Sequence, residues 1–378
     1  MPSRITSRAL AAAILFLPLT GALSQAAAKP AVEVAFVLDT TGSMSGLLEG
    51  AKRKIWSIAT TIVDTNPDAD VRMGLVAYRD IGDDYVTKTF DLTADIQDVY
   101  ANLLEMKARG GGDWPESVNE ALDVAVNKMK WTQGAETRRI VFLVGDAPPH
   151  MDYQQDTKYP ETLKVAKQKD IIVNAVLAGA ARDTERVWRE IAQGGNGRFI
   201  PIPQDGGEIV VIETPYDDEI IILQKEINGT VIPYGPRATQ KRVEDRTRQL
   251  SSVAAAAPSS ATEMASYLNK RSASSGEAVT GGGDLVADVA TGRQKVSSLK
   301  DDDLPDDLRK LSAEERQKAV EKQVGTRKLL NEKLAALVAK RDKYVADERI
   351  KAQAKSPAKP VSSFDRVVED TLKAQLKR

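Results

Sequence analysis

The chain has 378 residues, of which 42% are hydrophobic and 28% charged, a composition typical of folded proteins of about two domains. Its formal net charge is −1 with both signs interspersed, so no basic field is available to attract nucleic acid or an anionic membrane. The absence of cysteine excludes disulfides, a lipidated cysteine and thiolate metal sites.

The N-terminus has the pattern of an export signal. Arg4 and Arg8 precede an apolar run over residues 9–17, and small residues follow at 26–28. This order is typical of a cleavable secretory signal peptide. The alternative is an uncleaved anchor, but the run is shorter than the roughly 20 residues that span a bilayer. We predict a signal peptide over residues 1–28 and a periplasmic or secreted protein without a stable membrane span.

Strand and helix patterns alternate from residue 32 to residue 202. Because helical spacing separates apolar runs of the buried type, we predict an α/β fold. In such a fold a doubly wound, mostly parallel sheet is flanked by helices, and ligands bind at the carboxyl ends of the strands. The predicted strands cover residues 32–38, 71–78, 86–90, 140–145, 171–177 and 199–202, and the predicted helices 47–62, 96–106, 116–129, 161–169 and 185–192.

The composition changes after residue 204. Serine, alanine and glycine dominate residues 251–260 and 272–283, which predicts linkers there. The apolar stripe of residues 311–352 is narrow and irregular, so we predict an amphipathic helix or a helical hairpin rather than a long coiled coil. The predicted regions are 205–235 with a linking helix and strand, 236–310 with low-complexity linkers and short helices, and 311–378 with charged helices.

Oxygen-bearing side chains follow the first predicted strand. Asp39, Thr41 and Ser43 offer a carboxylate and two hydroxyls at alternate positions of one short segment. Hard cations such as Mg²⁺ take oxygen ligands of this kind. The alternative is that Ser43 or Ser45 only caps the helix that follows.

This segment resembles the Asp-x-Ser-x-Ser motif of the metal-ion-dependent adhesion site in von Willebrand factor A (vWA) domains. Thr41 stands at the first serine of the motif and Ser43 at the second. Residues 110–113 are similar to the glycine-rich loop that ends in a metal-binding threonine in the family, and residues 141–146 resemble the strand that ends in its last aspartate. The resemblance covers residues 31–204 and implies a vWA domain of the bacterial exported type.

The resemblance also implies a ligand set. Thr41 and Ser43 would contact Mg²⁺, or alternatively Mn²⁺ or Ca²⁺, directly, and Asp39 and Asp146 directly or through water. One coordination position would remain open to a partner, commonly to an acidic side chain. Asp113 stands at the position of the family's threonine. With Asp39, Asp113 and Asp146 around one dication, the net charge of the site is about −1. We therefore expect tight cation binding and a preference for a neutral or basic partner group, unless Asp113 only caps a helix.

Trp114 and His150 adjoin the predicted cation, and we predict that both contact a partner. His150 is the only histidine, and general-base catalysis is the alternative role for it. No nucleophile with a matching partner is evident, and the motifs of nucleotide hydrolases, zinc proteases and serine hydrolases are absent. We therefore expect no enzymatic activity and no catalytic residues.

These observations predict an exported, metal-dependent protein-binding module of the adhesion or scaffold type. The alternative is a structural envelope or assembly factor that acts through its helical tail, while the cation only stabilises the vWA head. A third possibility is an enzyme, because some vWA proteins carry an atypical kinase domain. Residues 237–378 lack the glycine-rich phosphate loop that such a domain needs.

Overall fold

The computed structural model describes residues 30–207, 211–355 and 363–377, and the predicted signal peptide lies outside the described residues. A six-stranded sheet in the order β3-β2-β1-β4-β5-β6 forms the centre of the fold. All neighbouring strands are parallel except β3, which is antiparallel to β2. The strands are β1 (Ala31–Asp39), β2 (Asp70–Tyr78), β3 (Thr87–Thr93), β4 (Thr137–Gly145), β5 (Ile171–Ala178) and β6 (Asn196–Ile202).

Helices cover both faces of this sheet, which confirms the predicted α/β fold with a helical C-terminal region. The helix predicted over residues 116–129 begins only at residue 118 and ends in one wide turn, Val124–Lys128. The helices are α1 (Ser45–Thr65), α2 (Ile96–Glu105), α3 (Val118–Asp123), α4 (Tyr159–Gln168), α5 (Arg182–Gly194), α6 (Asp217–Asn228), α7 (Arg237–Ala256), α8 (Pro258–Ser275), α9 (Leu285–Ala290), α10 (Asp306–Arg309), α11 (Ala313–Lys355) and α12 (Phe364–Leu376).

Strand β1 is buried along its whole length because its side chains alternate between two hydrophobic cores. Val34 and Phe36 belong to the core beneath α1 and α2. Ala35 and Val37 belong to the core that α3, α4 and α5 cover on the opposite face. Because both faces of this strand are covered, successive residues are apolar, and this is the continuous apolar run seen in the sequence.

The order of the strands places a crevice beside the end of β1. The chain moves from β1 to β2 in one direction and returns to β4 on the other side of β1, so the connections on the two sides diverge there. Because parallel strands share the same carboxyl edge, the segments after β1, β2 and β4 meet at this edge. Such a switch point is where sheets of this type bind their ligands.

The first predicted linker is helical, whereas the second is helical only at its start and forms a loop over residues 276–283. Residues 251–260 lie at the junction of two long helices, α7 and α8, and residues 272–275 end α8. Alanine is the strongest helix former, and Ala261 and Ala265 give α8 a flat face that buries against its neighbours. Of the linking helix and strand predicted within residues 205–235, the described residues form helix α6 and an isolated bridge at Pro233.

Helix α11 is one continuous helix of 43 residues, so the helical hairpin considered from the sequence is wrong. Leu334 and Val338 pack against α6, and Val320 packs in a separate cluster near α9. Among the described residues, no helix is long and apolar enough to cross a membrane.

Helices α8 and α12 complete the core beneath α1. The Trp56 ring on α1 lies 5.5 Å from that of Tyr267 on α8, and the Phe36 ring on β1 lies 6.5 Å from that of Phe364 on α12. The Phe364 amide donates to the Gly206 carbonyl at 2.9 Å. One hydrophobic core therefore joins β1 and α1 to helices from the C-terminal part of the chain.

Candidate metal centre

The turn after β1 is organised around the Asp39 carboxylate. Asp39 Oδ1 accepts hydrogen bonds from the Thr41 amide at 2.8 Å and from Thr41 Oγ1 at 2.7 Å. Thr41 Oγ1 lies 3.3 Å from Ser43 Oγ. Neither Ser43 nor Ser45 makes a side-chain cap to α1, so the helix-cap alternative is wrong.

Asp39 is 1% exposed, and within the described part of the chain its second carboxylate oxygen, Oδ2, has no hydrogen-bond partner. Burial, together with the neighbouring Asp146, raises the pKa of Asp39 from 3.8 to about 7, although the hydrogen bonds from Thr41 lower it. A Cβ on Gly145 would lie 3.2 Å from this oxygen and 2.3 Å from the Tyr78 hydroxyl, so glycine keeps the space beside Asp39 open. An ionised, half-satisfied carboxylate is costly at such a position unless a cation neutralises it.

Asp146 follows β4 and is buried next to Asp39. Its Oδ2 accepts a 2.6 Å hydrogen bond from Gln204 Nε2, which comes from the segment after β6. The structure therefore brings together four residues that the sequence predicted as ligands: Asp39, Thr41, Ser43 and Asp146.

Glu116 is the carboxylate that sequence reasoning missed. The glycine-rich loop docks on the Asp39 turn, where the Gly42 amide donates to the Gly110 carbonyl. A Cβ on Gly111 would lie 3.3 Å from Glu116 Oε1 and 3.4 Å from Thr41 Cβ, so the loop leaves only enough room for glycine between them. Glu116 is buried and its Oε2 has no partner.

The environment of Glu116 is strongly acidic. Burial, together with the neighbouring carboxylates of Asp39 and Asp80, raises the pKa of Glu116 from 4.5 to about 9. The alternative from the sequence, that Asp113 only caps a helix, assigned no role to Glu116. That interpretation is wrong, because α3 begins at Val118 with Ser117 before it.

The other predicted site residues lie beside this group. Asp113 is 64% exposed, and its Oδ2 is 3.6 Å from His150 Nε2. His150 is only 6% exposed, which leaves little of its side chain for a partner to touch. Trp114 is 48% exposed, and its Nε1 donates to Asp183 Oδ2 at 2.7 Å. Membership of Asp113 in the ligand set of Asp39 stays a prediction.

The donor set fits a hard cation. All the groups at the Asp39 turn are oxygen donors, and adjacent ligand oxygens of an octahedral Mg²⁺ ion are ~3 Å apart. The Thr41 Oγ1 separations of 2.7 Å from Asp39 Oδ1 and 3.3 Å from Ser43 Oγ are close to that spacing. Asp39 and Glu116 each direct one unpartnered buried oxygen into the region.

Comparison with known proteins gives partial matches to two much longer proteins. An ariadne-like RING finger protein of Acanthamoeba polyphaga mimivirus is 32% identical over 123 residues, which are 32% of this chain and 11% of that protein. An alpha-protein kinase of Dictyostelium discoideum is 29% identical over 126 residues, which are 32% of this chain and 19% of that protein. The chain thus spans less than a fifth of either relative.

Among solved structures, BatB from Bacteroides thetaiotaomicron aligns at 18% identity and a TM-score of 0.33, over 46% of this chain and 89% of that one. The SpRpn10 VWA domain aligns at 14% identity and a TM-score of 0.36, over 47% of this chain and 89% of that one. A family model described as the von Willebrand factor A domain matches residues 33–206. Because this match begins within β1 and ends just after β6, the sheet is that of a von Willebrand factor A domain, and the chain is a vWA domain-containing protein.

Proposed function

We propose that this chain is an exported protein-binding module in which a divalent cation at the carboxyl edge of the sheet contacts a protein partner. The observation that carries the proposal is the state of Asp39. Its carboxylate is buried, one oxygen is held by Thr41, and the other has no partner. A cation at this oxygen would compensate the buried charge and would offer a partner an electrophilic contact.

In this proposal Asp39, Thr41, Ser43 and Asp146 hold Mg²⁺, with Mn²⁺ or Ca²⁺ as alternatives. Glu116 is the best candidate for the third carboxylate, because it is the acidic side chain that the glycine-rich loop turns toward Thr41. The bound cation supplies positive charge and an open coordination position. The side chains orient it, and Gly145 keeps the space at Asp39 clear.

Charge at the rim constrains the partner. Three carboxylates around one dication give the site a net charge of about −1, and Asp80 and Asp113 add further negative charge nearby. An incoming carboxylate would be repelled, so we propose that a neutral oxygen or a basic patch of the partner meets this surface. Trp114 is exposed next to it, and its hydrogen bond to Asp183 fixes the ring for contact.

The alternative function, a structural factor that acts through its helices, has one supporting observation. Leu329 and Ile350 on α11 are exposed large apolar side chains, which a partner could cover. Removing the tail would not test this alternative, because Phe364 on α12 packs into the core of the sheet. Leu329→Ser and Ile350→Ser change the exposed surface and leave that core intact.

The test is partner capture from an envelope extract with the purified chain, with and without EDTA and with Mg²⁺ added back. We expect capture to need Mg²⁺ and to be lost in Ser43→Ala, which removes one ligand oxygen. Ser45→Ala is the matched control, since Ser45 is an exposed hydroxyl two residues away. Capture that survives EDTA and Ser43→Ala but fails in Leu329→Ser would refute the metal-face proposal and support the alternative.

Export is tested separately. The mass of the protein recovered from the expressing cells is expected to correspond to loss of residues 1–28. A full-length mass in the cytoplasmic fraction contradicts this part of the proposal. The binding function and the export signal can thus fail independently.

A further inference from the structure

A second group of side chains meets at the same edge of the sheet. Asp80 follows β2, Asp113 lies in the glycine-rich loop and His150 follows β4. One ligand atom from each lies within 4.8 Å of the others. His150 Nε2 is 3.4 Å from Asp80 Oδ2 and 3.6 Å from Asp113 Oδ2. These three residues differ from the four that meet at the turn after β1, namely Asp39, Thr41, Ser43 and Asp146.

The imidazole of His150 points an unpartnered nitrogen into this group. The side chain is 94% buried, and Nε2 has no hydrogen-bond partner among the residues that the structure describes. Both carboxylate oxygens are farther away than the 2.7–3.2 Å of ordinary hydrogen bonds. Neighbouring ligands on a tetrahedral Zn²⁺ ion are separated by ~3.3–3.5 Å, given metal–ligand distances of about 2.0–2.2 Å. The separation of 3.4 Å between His150 Nε2 and Asp80 Oδ2 falls in this range, and that of 3.6 Å to Asp113 Oδ2 lies just above it.

Neighbouring side chains fix each ligand in position. His150 Nδ1 lies 2.9 Å from Asp152 Oδ1, an arrangement in which Nδ1–H donates and Nε2 keeps its lone pair. The Tyr153 ring stacks on the imidazole at 4.0 Å, and its hydroxyl donates to Asp80 Oδ2 at 2.8 Å. Ser117 Oγ donates to Asp80 Oδ1 at 2.8 Å. Supporting contacts of this kind orient metal-binding histidines and carboxylates.

Backbone hydrogen bonds tie the three loops together. The His150 amide donates to the Glu116 carbonyl at 3.1 Å, and the Glu116 amide donates to the Pro148 carbonyl at 2.9 Å. The Ser117 amide donates to the Arg79 carbonyl at 3.1 Å. The ligands therefore come from segments that already share a fixed geometry, and little ordering would be needed when an ion binds.

We propose that Asp80, Asp113 and His150 form a second cation site that takes Zn²⁺ or a similar borderline divalent metal. One imidazole nitrogen and two carboxylate oxygens suit Zn²⁺, whereas Mg²⁺ prefers oxygen alone. Three protein ligands leave one position for water or an external ligand. This inference goes beyond the proposed function, which uses the oxygen ligands at Asp39.

The sequence makes the test unusually clean, because His150 is the only histidine and there is no cysteine. Tag-free, EDTA-treated protein is titrated with Zn²⁺ in the presence of millimolar Mg²⁺, by calorimetry and by the NMR signal of the single imidazole. We expect one Zn²⁺ per chain and a shift of the imidazole signal that saturates at one equivalent. An imidazole signal that does not change with stoichiometric Zn²⁺ overturns the proposal.

Variants separate this site from the other. His150→Gln and Asp113→Asn are each expected to weaken Zn²⁺ binding by more than about 100-fold, because loss of a direct ligand should exceed the 10–100-fold effect of a supporting group. Asp152→Asn should weaken it by about 10–100-fold. Asp113 is exposed, so its variant is expected to fold, and a cooperative urea-unfolding transition in EDTA verifies this.

Asp39→Asn is the reciprocal control. It should lose the response to Mg²⁺ and bind Zn²⁺ as the unmodified chain does. Loss of Zn²⁺ binding in Asp39→Asn, or unchanged Zn²⁺ affinity in both His150→Gln and Asp113→Asn, contradicts a separate site. Failure of the Mg²⁺ response with normal Zn²⁺ binding would instead count only against the proposed function.

Discussion

Asp39→Asn is expected to stabilise the protein in the absence of divalent cations. Asparagine has nearly the same shape, its Oδ1 can still accept from the Thr41 amide and hydroxyl, and its Nδ2 can donate to Asp146. The variant removes the charge that burial penalises. A change of one in pKa is worth about 1.4 kcal/mol, so raising the pKa of Asp39 from 3.8 to about 7 corresponds to about 4 kcal/mol. We expect a gain of up to that size at pH 8.

The assay is urea unfolding at pH 8, with EDTA and with saturating Mg²⁺. In EDTA the free energy of unfolding of Asp39→Asn should exceed that of the unmodified chain. With Mg²⁺ the order should reverse, because only the carboxylate gains from the cation. Asp307→Asn removes a fully exposed carboxylate and serves as the control, with a change within about 0.5 kcal/mol.

One result would refute this reasoning. If Asp39→Asn were no more stable than the unmodified chain in EDTA at pH 8, the ionised carboxylate would not be under electrostatic strain. A cation would then not be needed to compensate it. A gain that persists unchanged in Mg²⁺ would show that the carboxylate does not bind the ion.

Three further predictions follow from the same structure. In EDTA the melting temperature should fall from pH 5 to pH 9, because the raised pKa values of Asp39 and Glu116 mean that the folded state holds more protons than the unfolded state. Differential scanning calorimetry measures this dependence of melting temperature on pH, and saturating Mg²⁺ should reduce it. Gly145→Ala should lower the free energy of unfolding in urea by about 1–3 kcal/mol and weaken Mg²⁺ binding, because the new Cβ would contact the Tyr78 hydroxyl. Unchanged Mg²⁺ affinity would contradict the close packing at this residue. Arg327→Ala should lower the free energy of unfolding by about 3–5 kcal/mol, because it leaves Asp284 buried without its ion-pair partner. In the same assay Arg237→Ala, which breaks an exposed ion pair, should lower it by at most about 1 kcal/mol.

The sheet could be predicted from the sequence because burial on both faces requires nearly uninterrupted runs of apolar residues. Strand β1 is apolar at nearly every position, and the predicted range of 32–38 differs from Ala31–Asp39 by one residue at each end. The turn after β1 could also be predicted, because the contacts of Thr41 with Asp39 and with Ser43 each join residues two positions apart. Local spacing is sufficient when the interacting groups are local.

Glu116 could not be found in the same way. Asp113 and Glu116 are three residues apart in one loop, and which of them turns inward depends on the backbone of Gly110 and Gly111, with φ of 79° and 85°. Glycine permits such angles but does not indicate where the loop then goes. The meeting of Asp80 with His150 depends on strand order, which spacing along the chain does not reveal.

Helix α12 has a consequence for how the chain is made. The core around Phe36 closes only when Phe364 arrives, more than 150 residues after β6. At a synthesis rate of 5–20 residues per second, that distance corresponds to a delay of roughly 10–30 s. During this interval the part of the core that Phe364 covers, beside Phe36 and α1, is still open to solvent.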